Sequence, residues 1–368
     1  MLFCKYYKNL LGMSGSSSFM TNMCILFAIS QFYYGAAAVT TGNVEFLSVG
    51  DWGSASLGGY HLRNAEGTAA TMKAYIANAK GGDGGGDGVA FILNTGDNFY
   101  YCGIQNTSDP QINEDYTTLF GGMGVTWYHS LGNHDYGFSP EAQLLLNETI
   151  PEWIMDGRYY HRRIELPRDL GTGIIINIIV LDTNPCVKDY RGTDRRRWDP
   201  CGTQYPDCSP IAEPCRFHEN IISQDCDTQL SWAKGVFASI PEDEWIFVVG
   251  HHKADEINVA DFQTTILDDP RVHLYLNGHN HNLEHYSVNS QAKYITTGAG
   301  GMVIIGDEIH HESFKRRNTT KPILKSLWSK VVTGFTSHVF NDAGNTLTTY
   351  YWDVKQNKSI YSFDVTLT

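Results

Sequence analysis

Short apolar runs alternate with longer amphipathic stretches along this 368-residue chain. VEFLSV (44–49) and VAFILN (89–94) have the length and the branched, aromatic content of buried strands. Between them NAEGTAATMKAYIANAK (64–80) reads as a helix, so the pattern predicts a βαβ unit. A Gly/Asp tract at 81–88 returns the chain from helix to strand. One short tract lacks the recurrence of a calcium-binding repeat and is expected to be a surface loop. Further β-rich runs, VTWYHSL (125–131), GIIINIIVLD (173–182), EWIFVVG (244–250) and VHLYLNG (272–278), imply a buried sheet system. Near the C-terminus TGFTSHVF, LTTYYWDV and SIYSFDVT alternate like hairpin strands closing a sheet. No linker interrupts the chain after Asn43, which makes 43–368 one α/β domain. An insertion at 184–226 carries Cys186, Cys201, Cys208, Cys215 and Cys226 with little periodicity, and reads as a disulfide-stapled loop. Its Arg195-Arg196-Arg197 run reads as a solvated patch, as charge runs usually are.

Composition changes this picture in three places. A formal net charge of −13 argues against a general binder of polyphosphate backbones, so a nucleic-acid scaffold is not expected as a partner. The segment 23–39 (MCILFAISQFYYGAAAV), preceded by Lys5 and Lys8 and ending in Ala36-x-Ala38, reads as a secretory signal over 1–38, with Met13 or Met20 as alternative starts. The competing reading is an uncleaved anchor, and membrane contact is expected only in that case. Removing the leader leaves six cysteines, an even set without paired Cys-x-x-Cys spacing, which favours disulfides over a thiolate metal site but leaves the connectivity open. Sequons at Asn106, Asn147, Asn318 and Asn357 point to the same compartment. A monomeric protein that is secreted, or held in the lumen of the secretory pathway, is expected.

The chemistry is carried by a grammar repeated five times: a strand-like run ends in Gly or a near neighbour, followed at once by a side chain able to bind metal. The instances are FLSVGDWG with Asp51, ILNTGDNFY with Asp97 and Tyr100, HSLGNHD with Asn133 and His134, FVVGHH with His251, and YLNGHNH with His279 and His281. In open α/β sheets ligands gather beyond the carboxyl ends of strands, and a glycine lets the backbone turn sharply there. Each fragment alone is weak, since Asp after a strand is a common turn former. Together two carboxylates, a phenol, an amide and three imidazoles form a hard-to-borderline O/N set suited to iron, zinc or manganese. Seven side chains suit two ions if one carboxylate bridges.

Taken in order, GDWG, GDNFY, GNHD, VGHH and GHNH resemble the purple acid phosphatases, in particular the small single-domain type related to tartrate-resistant acid phosphatase, within the calcineurin-like metallophosphoesterases. Tyr100 is the discriminating member. The resemblance implies a four-layer sandwich of two mixed β-sheets flanked by helices. It puts Asp51, Asp97, Tyr100 and His281 on Fe(III), and Asp97, Asn133, His251 and His279 on a divalent ion (Fe(II), Zn or Mn), with Asp97 as the bridge. It further implies hydrolysis of phosphate monoesters through metal-bound hydroxide, with His134 orienting the phosphoryl group and protonating the leaving alkoxide. Asn133, His134 and His252 are the substrate-binding expectations. His252 stands where animal-type enzymes carry Tyr, and Lys253 where they carry Pro. His161, His285, His310 and His311 are expected to be structural or at the surface. Two competing functions use the same fold: a catalytically silent scaffold or receptor, and a phosphodiesterase or nucleotide hydrolase on the same metals.

Overall fold

The computed structural model describes residues 44–79, 88–166, 173–192, 199–202, 214–303 and 323–367. The expected leader, the Gly81–Asp87 part of the glycine tract, the Arg195–Arg197 run, Cys208, His310, His311 and Asn318 lie outside them. In chain order the elements begin with β1 (Glu45–Val49), α1 (Gly59–Ala79), β2 (Val89–Asn94) and β3 (Thr126–His129). There follow α2 (Pro140–Leu144), β4 (Trp153–Ile154), β5 (Tyr160–Leu166), β6 (Ile174–Val180), α3 (Phe217–Ile222), α4 (Cys226–Ser239), β7 (Trp245–Val249) and β8 (Leu274–Asn277). The chain closes with β9 (Leu283–Val288), β10 (Gln291–Thr297), β11 (Leu324–Lys330), β12 (Gly334–Phe340), β13 (Thr346–Asp353) and β14 (Lys358–Thr366).

These strands form two seven-stranded mixed sheets, ordered β14-β13-β12-β1-β2-β3-β4 and β11-β9-β10-β8-β7-β6-β5. In the first, β1, β2, β3 and β4 run parallel and β12 pairs antiparallel with β1. In the second, β6, β7, β8 and β10 run parallel. The expected βαβ unit is therefore present, and the C-terminal hairpins close the first sheet. Helix α1 begins at Gly59, five residues ahead of the expected start, because its first turn, GYHLR, has no apolar period to mark it.

Alternation along the strands places the core. On β7, Trp245, Phe247 and Val249 face the large cluster between the sheets, while Ile246 and Val248 face a second cluster with Leu230, Ala233 and Phe237 of α4. On β6, Ile176, Ile178 and Val180 go one way and Ile179 the other. A strand buried on both faces has no polar alternation, which is why these runs read as continuous apolar segments. Phe46 on β1 lies 5.2 Å from Phe247 on β7, ring to ring, and joins the two sheets. The cysteine-bearing insertion is stapled as expected, by Cys186–Cys226 and Cys201–Cys215, and Cys102 is also disulfide-bonded. It is not all loop: α3 and the start of α4 lie in it.

Candidate metal centre

Parallel strands send their carboxyl ends to one edge, and the five motifs follow β1, β2, β3, β7 and β8 at that edge. Asp51, Asp97, Asn133 and His251 are at most 1% exposed and Tyr100 is 2% exposed, whereas His279 and His281 are only partly covered. The site therefore opens on the side of the β8–β9 loop.

Two donor clusters form. In one, the Tyr100 hydroxyl lies 2.9 Å from Asp51 Oδ1, 2.8 Å from Asp97 Oδ2 and 3.2 Å from His281 Nε2. In the other, His251 Nε2 lies 3.1 Å from Asn133 Oδ1 and 3.3 Å from Asp97 Oδ2, and His279 Nδ1 lies 3.0 Å from Asn133 Oδ1. Asp97 Oδ2 belongs to both. The seven side chains singled out in the sequence thus come together around Asp97 Oδ2; the acidic and imidazole donors near enough to share an ion are Asp51, Asp97 and His281 on one side, and His251, His252 and His279 on the other.

The expected bend at glycine is found at Gly96 (φ 93°), but three of the ligands turn the chain as well. Asp51 (φ 55°), Asp97 (φ 55°) and His279 (φ 67°) themselves occupy the left-handed region, which is uncommon outside glycine and persists where the surroundings enforce it. Several of the glycines serve close approach instead. A Cβ on Gly132 would stand 2.1 Å from Asp97 Oδ1, and one on Gly278 would stand 2.4 Å from Asp51 Oδ2.

Without metal the cluster stores protons. Burial, together with the Asp51 and Asp97 carboxylates, pushes the Tyr100 phenol well above its ordinary value. Burial alone would raise Asp97, but the imidazoles of His251, His134 and His279 hold it well below the carboxylate range. Burial alone would lower His251, but the charge and hydrogen bond of Asp97 push it up to about 9. These are the protons that a cation displaces when it binds. The donor chemistry fits two hard-to-borderline cations, since anionic oxygens collect in one cluster and neutral amide and imidazole donors in the other. His251 is already aimed: its Nδ1 hydrogen-bonds Thr95 O at 2.8 Å, leaving Nε2 for the centre.

Sequence reasoning missed the residue that ties the loops together. The Asp135 carboxylate accepts the backbone N–H groups of Asn98, Phe99 and Gly132 at 2.8–3.1 Å and Gln143 Nε2 at 2.9 Å. Its place as the last letter of GNHD was the available signal. His134 is buried; its Nδ1 faces Tyr101 O at 2.6 Å, which fixes Nδ1 as the donor. His252, expected at the substrate, is fully buried, with Nδ1 2.8 Å from Thr183 Oγ1 and Nε2 2.8 Å from Tyr190 Oη. Both ring nitrogens are thus hydrogen-bonded inside the protein, with one of them within 4.8 Å of donor nitrogens of His251 and His279. Lys253 is likewise interior. His161 bonds Asn177, and His285 stacks on Phe363 at 3.7 Å.

Residues 44–283 match the family model described as calcineurin-like phosphoesterase. Similar proteins include tartrate-resistant acid phosphatase type 5 of Oryctolagus cuniculus, 30% identical over 72% of this chain and 74% of the relative. Purple acid phosphatase 7 of Arabidopsis thaliana is 28% identical over 70% of each. The chain belongs to the calcineurin-like phosphoesterases, in their purple acid phosphatase group. Among solved structures, GAP50, the anchor in the inner membrane complex of Plasmodium, covers 89% of each chain with a TM-score of 0.59 at 22% identity, a likeness of fold.

Proposed function

We propose that this protein is a phosphoric monoester hydrolase of the acid phosphatase type, working at a dinuclear Fe(III)–divalent centre within the secretory pathway or outside the cell. The observation that carries the reading is the single oxygen Asp97 Oδ2, shared between the Tyr100 cluster and the Asn133 cluster. Asp51, Asp97, Tyr100 and His281 would hold Fe(III); Asp97, Asn133, His251 and His279 would hold the divalent ion. Two ions there would supply Lewis acidity and an activated water at acid pH. The chain's own residues do the rest. Asn133 and His134 would bind the phosphoryl group, and the hydrogen bond to Tyr101 O holds the His134 ring so that Nε2 would be the nitrogen to pass a proton to the leaving alkoxide. Disulfides and an N-terminal apolar segment support the compartment.

The likeness to GAP50 keeps a scaffold role in view as the second reading. Retention of all seven donors in bonding distance favours catalysis, since a scaffold has no need of them. The deciding experiment is the visible spectrum of the purified, oxidised protein together with its metal content. A tyrosinate-to-Fe(III) charge-transfer band with two ions per chain is the expected result. Two ions with no band would point to a zinc or manganese esterase, and no ions would favour the scaffold.

A further inference from the structure

The β8–β9 loop carries a proposed ligand of each ion, His279 and His281, and holds His279 in a left-handed conformation that needs support. Its entry is fastened to the segment after β7: the Gly278 N–H donates to His251 O at 3.0 Å. Inside the loop, Asn280 N–H donates to Gly278 O and Asn282 N–H to Asn280 O, so the chain turns tightly with little slack. Its exit is fastened to the same segment. Glu284, the second residue of β9, forms an ion pair with Lys253, two residues beyond His251, and the two side chains are 4% and 10% exposed.

We propose that the buried Lys253–Glu284 ion pair is a clamp that sets the distance between His251 and the loop bearing His279, and thereby the affinity for the divalent ion. The proposal rests on the assignment above of His251 and His279 to that ion. Both partners are held in place from behind. Lys253 Nζ lies 4.9 Å over the Tyr286 ring, and the Tyr286 hydroxyl donates to Asn277 Oδ1 at the end of β8. Glu284 O accepts the Tyr351 hydroxyl from the other sheet at 2.9 Å. Buried ion pairs are poor sources of net stability, because desolvation offsets attraction, but they fix geometry. Here the geometry fixed is that of two ligand segments. The divalent cluster is the one exposed to its loss: of its four donors only Asp97 is anionic, and two of the three neutral ones sit on the clamped segments. The ferric cluster is less dependent on it: His281 and the His279 N–H to Asp51 Oδ2 contact at 3.0 Å lie on the clamped loop, but Asp51, Asp97 and Tyr100, its three oxygen donors, lie outside the clamped segments.

The test uses the full holoprotein with Lys253→Met, Glu284→Gln and the double variant Lys253→Met/Glu284→Leu, which removes both buried charges. Divalent-ion affinity, the visible band and the melting temperature of the metal-free protein are measured for each. All three variants should bind the divalent ion about 10- to 100-fold more weakly, and the ferric–tyrosinate band should persist. The double variant should do so at near wild-type melting temperature. Unchanged divalent affinity in the variants overturns the clamp, as does loss of both ions in step with a fall in melting temperature, which would mark the pair as a fold element only. A wild type that takes up no divalent ion would overturn the parent reading and this inference with it, so the two failures are distinguishable.

Discussion

The two oxygens of Asp97 divide their work around His134: Oδ1 accepts the His134 backbone N–H at 2.9 Å, and Oδ2 alone faces both donor clusters. One side chain thereby fixes the backbone of the proposed acid and the midpoint of the centre. It does so while fully buried, held ionised by the surrounding imidazoles.

The first prediction follows from that division. Asp97→Asn keeps the shape and removes the charge at the shared oxygen, so both ions should be weakened. Asn133→Ala should release chiefly the divalent ion, because Asn133 Oδ1 lies within 3.1 Å of both His251 and His279. Metal analysis after dialysis checks this. Two tightly held ions in Asp97→Asn would refute the bridge.

A second prediction concerns protons. At pH 7 the metal-free site holds one on Tyr100, pushed well above its ordinary value, and one on His251, pushed up to about 9. Filling the site should release these two protons per chain in addition to the one lost by the activated water, and metal affinity should rise with pH up to about 9, where His251 titrates. Tyr100→Phe should release one fewer and lose the visible band. Indicator-dye titration during metal loading gives the count. Equal release by both proteins would remove Tyr100 from the ligand set.

A third prediction lies away from the ligands. Burial raises the Asp115 carboxyl from 3.8 to about 6, against the hydrogen bonds it accepts from Ser56 and Gln111. A raised acid pKa means that the native state binds the proton more tightly than the unfolded chain. The stabilisation is fully present below the unfolded value and is lost as pH rises through the folded one, a loss on the order of 3 kcal/mol between about pH 4 and 6. Asp115→Asn should abolish this slope, so the stability gap between variant and wild type should move in the variant's favour from pH 4 to 7. Urea midpoints at each pH measure it. A gap independent of pH would mean that the donors keep the carboxylate ionised throughout.

The donor set was legible in the sequence because each donor follows a strand end, and parallel strands deliver their ends to a common edge whatever the details of packing. Local patterning also marked β1, β2, β6 and β7, which are buried on both faces and so read as uninterrupted apolar runs. The edge strand β5, YHRRIEL, was not legible, since four of its seven residues are polar and its place depends on pairing with β6. The role of Lys253 was hidden for a related reason. In the sequence it stood out only as a replacement for the Pro of animal-type enzymes; its partner Glu284 lies 31 residues away and only the tertiary fold brings them together. Asp135 was hidden in the same sense: nothing local says that one carboxylate collects three backbone N–H groups from two loops.

The last prediction tests catalysis through His134. Tyr101 O fixes Nδ1 as the donor, so a change of protonation in a reaction cycle would fall on Nε2. Burial, aided by the neighbouring His281 and His251, lowers its pKa against the pull of Asp97, which makes the imidazolium a stronger acid. An alkyl phosphate needs such an acid because its alkoxide leaves poorly, whereas an activated aryl phosphate needs little help. General acid catalysis typically contributes about 10²- to 10⁴-fold. His134→Ala should therefore slow alkyl esters by a factor in that range and aryl esters far less, at full metal occupancy. If the histidine only positions its neighbour Asn133, both ester classes should fall together and the divalent ion should be depleted. Equal losses on both classes with both ions retained would leave His134 as a phosphate-orienting group rather than the acid.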